Sequence, residues 1–367
     1  MKLIDKILAN DDDEMIRTFY NCADSDALVS FYLRRFPPFS AALQVEGDDS
    51  KIISVLDEDR TQIAGALILT EKVCYLEGQE RSIGYLGSAK IKTEYRGGLV
   101  LARITRNLHI QMQADPKIGF CSLMKGNRVA HEIFLSGRKA LPKFRHISGF
   151  KTMIFKPVKK KTGDDESLKI ISANQSNIGD LVRYLNTEGK AKQLFPVYKS
   201  EHFTNPGNGL LKGIETEKVY IAMKNDKITG TLAVWDQTAF RQWVISGKKP
   251  FSILKPLVNL VLKIRGIPVL PARNKGFGSK YISLVCIRNN EPEVFEKLLG
   301  HAMIKELESD SKSVLVMGFP DNDPMFSKLK IRAITLKSDI YAFAWSEHLD
   351  DLNAINFNNL YIETGAL

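Results

Sequence analysis

The sequence predicts a mixed α/β protein made of two similar halves, each with a mixed α+β sheet flanked by helices. The chain has 367 residues, whereas a single domain usually has about 150. Strand-like and helix-like apolar patterns alternate in the same order in both halves, which is typical of α/β and α+β folds. Residues 159–167, which contain no large apolar side chain, separate the two patterns and predict a linker.

Composition and charge narrow the class of protein. Hydrophobic residues make up 44% of the chain and charged residues 26%, which argues against disorder. The net charge is +10, and this favours an anionic partner: nucleic acid, an acidic membrane face or a phosphorylated cofactor. The basic and aromatic residues do not form the regular pattern of a nucleic-acid-binding surface, which argues against nucleic acid as the partner. The sequence contains no uninterrupted apolar stretch of about 20 residues, so no membrane span is predicted.

The cysteines and histidines of the sequence indicate a reducing compartment and give no sign of a metal-binding site. The N-terminus turns acidic after ten residues and lacks the apolar core of a signal peptide. The histidines form no pair at i, i+4 spacing and no cluster with cysteine, so no metal site is predicted. Four widely spaced cysteines are expected to be buried thiols: Cys22, Cys74, Cys121 and Cys286. We therefore expect a cytoplasmic protein.

The first half, residues 1–158, reads as helix, strands, helix, strand, helix and strand. Acidic residues 11–14 predict the start of a helix, because acids stabilise its positive end. The apolar residues Val100, Ile104, Leu108 and Met112 recur at three- and four-residue spacing and predict a helix over 99–112. A further helix is predicted over 128–136. Strands are predicted at 52–56, 62–69, 73–76, 81–91, 118–124 and 150–155.

The second half, residues 168–350, repeats this order with an insertion at about 243–278, and a C-terminal tail follows at 351–367. Helices are predicted over 178–187 and 292–308, and strands at 218–223, 229–236, 280–287 and 313–318. Within the insertion, residues 251–269 predict an amphipathic helix. We expect its apolar side to pack against the second half; docking on a membrane surface is the alternative.

One segment of the first half has a residue pattern that indicates a binding function. A strand ends at Ile91, the turn Tyr95-Arg96-Gly97-Gly98 follows, and an amphipathic helix starts. Backbone N–H groups at a helix N-terminus lack partners within the helix, and glycine lets an anion approach them. An arginine can donate several hydrogen bonds to phosphate oxygens. This order predicts a pyrophosphate-binding turn, with a plain strand-to-helix turn as the alternative.

The same residues resemble the Gcn5-related N-acetyltransferase family. The resemblance rests on the strand, the Tyr-Arg-Gly-Gly turn, the helix, the short strand and the segment from Asn127 to Phe134. In addition, residues 235–242 resemble a segment of bacterial proteins that have two such domains. The resemblance implies two tandem acyl-coenzyme A N-acyltransferase-like domains, with acetyl-coenzyme A bound between two splayed strands of the first. The cofactor-binding residues that it implies are Ile91, Arg96, Gly97, Gly98, Leu99, Val100 and Asn127.

The sequence departs from the family pattern in three places. Val100 stands where the family has a small residue, and its branched side chain is expected to narrow the pyrophosphate seat. Phe134 replaces a tyrosine that often serves as the general acid, so no catalytic residue is assigned. In the second half, residues 288–293 include Glu291 and Glu293 instead of glycines, so that domain is expected to be degenerate.

Two functions follow from the resemblance. The first is an acetyl-coenzyme A-dependent N-acyltransferase that acts on an unidentified amine, either a small molecule or a peptide. The second is a binding or scaffolding protein on the same fold that has lost turnover. The sequence leaves the acceptor and the oligomeric state open.

Overall fold

The computed structural model describes residues 2–22, 29–159, 168–247, 249–310, 312–326 and 329–367. The elements of the first half are β1 (Ile4–Leu8), α1 (Asp13–Tyr20), β2 (Val29–Arg35), α2 (Phe39–Leu43), β3 (Asp49–Leu56), β4 (Ile63–Leu76), β5 (Gln79–Ile91), α3 (Val100–Gln111), β6 (Ile118–Met124), α4 (Arg128–Leu135) and β7 (Lys143–Phe155). Those of the second half are β8 (Lys169–Ser172), α5 (Ile178–Gly189), β9 (Phe195–Pro196), α6 (Ser200–Thr204), β10 (Val219–Lys224), β11 (Lys227–Asp236), β12 (Arg241–Gly247), α7 (Lys249–Ile264), β13 (Ser279–Ile287), α8 (Pro292–Ser309), β14 (Val314–Pro320), β15 (Ala333–Ala344) and α9 (Leu349–Ala354).

One large mixed sheet runs through both halves. Its strand order is β1-β3-β4-β5-β6-β15-β7-β14-β13-β11-β10-β8, and the short β9 pairs with β4. From one edge the strands are β1, β3, β4, β5 and β6, and from the other edge they are the corresponding β8, β10, β11, β13 and β14. Within each half one pair is parallel, β5 with β6 and β13 with β14. The mixed α/β fold and its internal repeat are confirmed.

The last strand of each half completes the sheet of the other half. Strand β15 lies between β6 and β7, and β7 in turn pairs with β14. A separate two-stranded sheet, β2 with β12, also joins the halves. The division of the chain at residues 158 and 168 stays a prediction. Residues 160–167 of the predicted linker lie outside the described residues.

Helix α3 forms where apolar periodicity predicts it. Val100, Ile104, Leu108 and Met112 are all buried, and the helix packs on β3 and β4. Burying one apolar stripe of this kind is what holds a short helix in place, since an isolated helix of this length is only marginally stable in water.

Some local predictions are wrong. The first helix is preceded by β1, a five-residue edge strand whose mixed polar and apolar sequence carries no clear alternation. The separate strand predicted at 73–76 is the end of the long β4. Cys22 is exposed, whereas the other three cysteines are buried as expected.

Helix α7 contradicts the prediction for the insertion. A helix forms there, but its apolar side faces away from the protein. The side facing the protein includes Asn259, whose side-chain amide pairs with the backbone of Leu270. None of the helices in the described ranges is long and apolar enough to cross a membrane.

Candidate functional site

The turn between β5 and α3 presents an open backbone surface. A single 3-10 turn follows β5, and Arg96 Nε then donates to the carbonyl oxygen of Ile91 at 3.2 Å. Gly97 has φ +76°, a conformation that glycine adopts without the steric cost of a Cβ. A Cβ added to Gly98 would approach nothing closer than 3.7 Å, at the carbonyl oxygen of Tyr95.

The N-terminus of α3 has unsatisfied donors. Within the described part of the chain, no acceptor bonds to the backbone N–H groups from Gly97 to Ala102; the first to bond is that of Arg103, which donates to Leu99 at 3.0 Å. The Arg96 side chain beside them is exposed. Free N–H groups, the helix dipole and a guanidinium on one surface favour an anion such as a phosphate.

Val100 does not narrow this surface. Its side chain is buried on the opposite side of the turn, against β4, where a Cβ added to Gly65 would lie 2.6 Å from Val100 Cγ1. The expected obstruction is therefore absent, because the first residue of α3 points its side chain at the sheet. Leu99, by contrast, is exposed beside the free N–H groups.

A gap opens between β5 and β6 below the turn. The two strands pair only at Gly84 with Gly119 and at Tyr85 with Phe120. Just beyond, a bulge in β5 shifts its register against β4, and Ser88 has φ +52°. A bulge bends a strand and increases its twist. From that point to the end of β5, no residue of β6 pairs with it in the described structure.

Asn127 and Phe134, the two residues of α4 that the family resemblance singled out, have structural partners. Asn127 caps the helix, since its Oδ1 accepts from the Ala130 N–H at 3.2 Å. The Phe134 ring stacks on Phe144 with centroids 4.0 Å apart. The cofactor contact expected of Asn127 stays a prediction.

A tyrosine of the second half lies beside Phe134. The rings of Tyr341, on β15, and Phe134 meet edge to face with centroids 6.2 Å apart. The Tyr341 hydroxyl lies 3.2 Å from Nδ1 of His131, and Nε2 of His131 lies 3.9 Å from Oδ2 of Asp339. Burial, together with Asp339 and Cys121, raises the pKa of Tyr341. Sequence reasoning missed this phenol, because only the strand exchange brings it to α4.

A buried charge cluster joins both halves beside the bulge in β5. One carboxylate oxygen of Glu46 lies 2.8 Å from an Arg35 nitrogen and 3.1 Å from an Arg241 nitrogen. Arg35 also donates to the Ser88 hydroxyl at 3.2 Å, and Arg241 donates to the carbonyl of Gly365. The second half and the C-terminal segment therefore help to build the wall of the gap.

Lys72 lies at the closed end of the gap. Its ammonium nitrogen is 5.4 Å from the centroid of the Tyr85 ring and 5.0 Å from that of Phe120. Lys72 is buried, and no described carboxylate forms an ion pair with it. Burial lowers the pKa of Lys72, although Cys74 and Glu46 act in the opposite direction. Burial also raises the pKa of Tyr85 well above its usual range.

The corresponding gap of the second half is filled by the chain itself. Strands β13 and β14 pair only over the first residues of β13, and Leu284 in the bulge of β13 has φ +53°. The Leu284 N–H donates to Oε2 of Glu363 at 2.9 Å, and the Thr364 hydroxyl donates to the carbonyl of Gly318 at 3.3 Å. Helix α8 starts at Pro292, which has no N–H to offer an anion.

Among the described residues, no three side chains of histidine, cysteine, aspartate or glutamate come together as ligands.

Solved structures with a similar fold were found by comparison. The N-myristoyltransferase of Saccharomyces cerevisiae with bound myristoyl-coenzyme A aligns over 93% of this chain and 82% of its own, with TM-score 0.55 and 12% identity. A GCN5-related N-acetyltransferase from Sphaerobacter thermophilus aligns over 93% and 95%, with TM-score 0.52 and 9% identity. The chain has the fold of the Gcn5-related N-acetyltransferases. No protein-family model and no curated protein matches the sequence.

Within this acetyltransferase-like fold, the turn at residues 95–98 lies at the open end of the gap between β5 and β6. The similarity extends through both halves, because the alignments cover most of the chain. At identities of 12% and 9% the similarity concerns the fold alone.

Proposed function

We propose that the protein is an acyl-coenzyme A-dependent N-acyltransferase, with the donor held in the first half. The observation that carries the proposal is the row of free N–H groups at the start of α3, above an open gap between β5 and β6. The proposed pyrophosphate contacts are the amides from Gly97 to Val100, with the Arg96 guanidinium beside them. The Arg96 amide, which the sequence pattern also includes, already donates to the carbonyl oxygen of Thr93 at 3.3 Å. Ile91 and Asn127 are proposed to contact the pantetheine. The yeast structure with the same fold contains myristoyl-coenzyme A, and acetyl-coenzyme A is the donor that we propose here.

Acyl transfer makes two demands on the protein. The acceptor amine forms a C–N bond to the thioester carbonyl carbon as the C–S bond breaks, so one proton must leave the amine and one must reach the sulfur. Phe134 cannot supply a proton. We propose that Tyr341 supplies the proton to the departing sulfur, because its ring contacts Phe134 and its hydroxyl lies 3.2 Å from Nδ1 of His131. A phenol is protonated at neutral pH. The acceptor is an amine, either a small molecule or a peptide.

Gly98→Asp tests the binding site. The substitution places a carboxylate beside the free N–H groups, and it fits sterically because a Cβ there has open space. We expect calorimetric titration with acetyl-coenzyme A to give one site per chain in the unmodified protein and none in the variant. Saturation at 100 times the dissociation constant should stabilise the unmodified protein by about 2.7 kcal/mol.

Two controls accompany this variant. Gly98→Ala adds the same Cβ without the charge and should leave binding nearly unchanged, because that Cβ has open space. Glu291→Ala, at the start of α8, should leave binding unchanged. Two equivalent sites, or a site that responds to Glu291 and not to Gly98, would refute the assignment. Binding without release of free thiol across a panel of amines would favour the non-catalytic alternative.

A further inference from the structure

The insertion of the second half carries an apolar surface that nothing in the described structure covers. Three side chains of α7 form the centre of its outward face: Ile253 is 79% exposed, Leu257 64% and Ile264 74%. Leu254, Leu260 and Val261 extend the same face and are also exposed. Large contiguous apolar surfaces of this kind mark interaction sites.

The orientation of α7 is fixed by its polar side. Asn259 projects from the side opposite Leu257 and Val261. Its amide donates to the Leu270 carbonyl at 3.0 Å and accepts from the Leu270 N–H at 2.8 Å. This pair of hydrogen bonds holds the polar side toward the returning chain, so the apolar side is directed outward.

The charged side chains of the insertion itself are all of one sign. From residue 237 to residue 290 the sequence contains no aspartate or glutamate. The insertion contains only basic charges: Lys248, Lys249, Lys255, Lys263, Arg265, Arg273 and Lys275. A second copy of the chain would bring the same positive charges face to face. The surface therefore suits an anionic partner that also accepts apolar side chains.

Aromatic side chains lie on the strand pair from which α7 emerges. Trp243 on β12 and Phe31 on β2 are both exposed. Phe31 pairs with Ile245, two residues from Trp243, so both rings lie on the same face of the pair. Tryptophan favours the interface between water and lipid, where its ring is partly wet and partly apolar.

We propose that α7 docks the protein on the surface of an anionic lipid bilayer, with the helix parallel to the membrane plane. Helices of this type insert an apolar face among the acyl chains while basic residues contact the headgroups. The lipid headgroup is the source of the anion in this proposal. The proposal does not depend on the acyltransferase activity, because α7 lies outside the candidate site.

Vesicle flotation tests the proposal on the full chain. We expect the protein to float with vesicles of phosphatidylcholine and phosphatidylglycerol (about 3:1) and to bind vesicles of phosphatidylcholine alone far less, because each basic residue near an anionic surface contributes about fivefold. Binding should weaken as salt rises, since salt screens surface charges. Equal binding to both vesicle types, or no binding at low salt, would overturn the proposal.

Two variants separate the apolar and the electrostatic contributions. Ile253→Glu/Leu257→Glu/Ile264→Glu should reduce vesicle binding more than tenfold, and these exposed positions leave the core intact. Lys263→Glu/Arg265→Glu should also weaken binding to the anionic vesicles. The control is Ile110→Glu/Leu135→Glu, at positions 53% and 66% exposed on α3 and α4; its binding should be unchanged.

Light scattering after size exclusion tests the competing occupant. A dimer of the unmodified protein that the triple variant converts to monomer would assign this face to a second copy of the chain and refute membrane docking. A retained vesicle affinity in the triple variant would refute it as well.

Discussion

At the turn between β5 and α3, neighbouring side chains face opposite environments. Val100 is buried against β4, whereas Leu99 and the Arg96 guanidinium are exposed beside the free N–H groups. The backbone at Gly97 adopts a positive φ that turns the chain into the helix. The proposed anion-binding surface therefore consists mainly of backbone N–H groups, and Arg96 is the side chain that adds positive charge to it.

Lys72 is a buried charged side chain, and its burial lowers the stability of the folded protein. A buried ammonium without an ion pair loses hydration that ring contacts replace only in part. We predict that Lys72→Met stabilises the protein at pH 7 by an amount on the order of 1–4 kcal/mol, the upper range observed when a buried ion pair is replaced by apolar side chains of similar volume. Urea unfolding at several pH values measures this difference.

The pH dependence of the Lys72 contribution has a definite sign. Burial lowers the pKa of Lys72 in the folded state below the ordinary lysine value of about 10.5. Between these two values the unfolded state binds more protons, so stability rises with pH there. The advantage of Lys72→Met should therefore shrink as the pH approaches 10.5. Lys224→Met, at an exposed position on β10, should change stability by no more than about 0.5 kcal/mol. A loss of stability in Lys72→Met would show that the ammonium has a partner worth more than its burial costs.

Among the elements, β15 has the largest consequence for the candidate site. It pairs with β6 on one side and β7 on the other, and it brings Tyr341 to the ring of Phe134 and to His131. We propose that Tyr341, on a neighbouring strand, takes the place of the tyrosine that the family pattern has at the position of Phe134.

Tyr341→Phe tests this replacement, given the proposed activity. We expect kcat to fall by roughly 10²- to 10⁴-fold, the usual contribution of a general acid, while the dissociation constant for acetyl-coenzyme A is unchanged. Because the pKa of Tyr341 is raised above 10.0, the acid form persists below that pH, and activity that depends on it should fall only above about pH 10. The variant should lose this alkaline decline.

Tyr220→Phe is the matched control for Tyr341→Phe. Tyr220 also contacts a histidine edge to face, His301, but in the second half. Its substitution should leave kcat unchanged. An equal loss of kcat in both variants would indicate a general effect on packing, and full activity in Tyr341→Phe would exclude the phenol as the acid.

For the molecule as a whole, the exchange of β7 and β15 links the two halves. Residues 118–124 of β6 pair with β15 along the whole strand, and β14 pairs with β7. The buried cluster of Arg35, Glu46 and Arg241 adds a second link. Neither half has a complete sheet without the other.

We predict that the halves unfold as one unit. Calorimetry of the full chain should show a single transition whose calorimetric and van't Hoff enthalpies agree, as two-state unfolding requires. A fragment of residues 1–158 should lack near-ultraviolet circular dichroism, and co-expression with residues 168–367 should restore it. Two separate transitions, or a fragment 1–158 that folds alone, would contradict this and would support independent domains at the predicted boundary.

Local patterns in the sequence determined much of the framework. The spacing from Val100 to Met112 predicted α3, because a helix must bury one apolar stripe. The turn at Gly97 and Gly98 could also be predicted, because the strand, the two glycines and the helix are adjacent in the sequence. The mixed sheet and its repeat followed from the order of such patterns.

Only the tertiary structure decided what lies around that framework. The exchange of β15, the filling of the second gap by Glu363 and Thr364, and the outward face of α7 all depend on residues far apart in the chain. The sequence of a strand can indicate that the strand pairs with another one. It does not indicate which one, because backbone hydrogen bonds are the same for every partner. Likewise, an apolar stripe predicts which face of a helix is covered, but it does not say whether the rest of the protein or an external partner covers it.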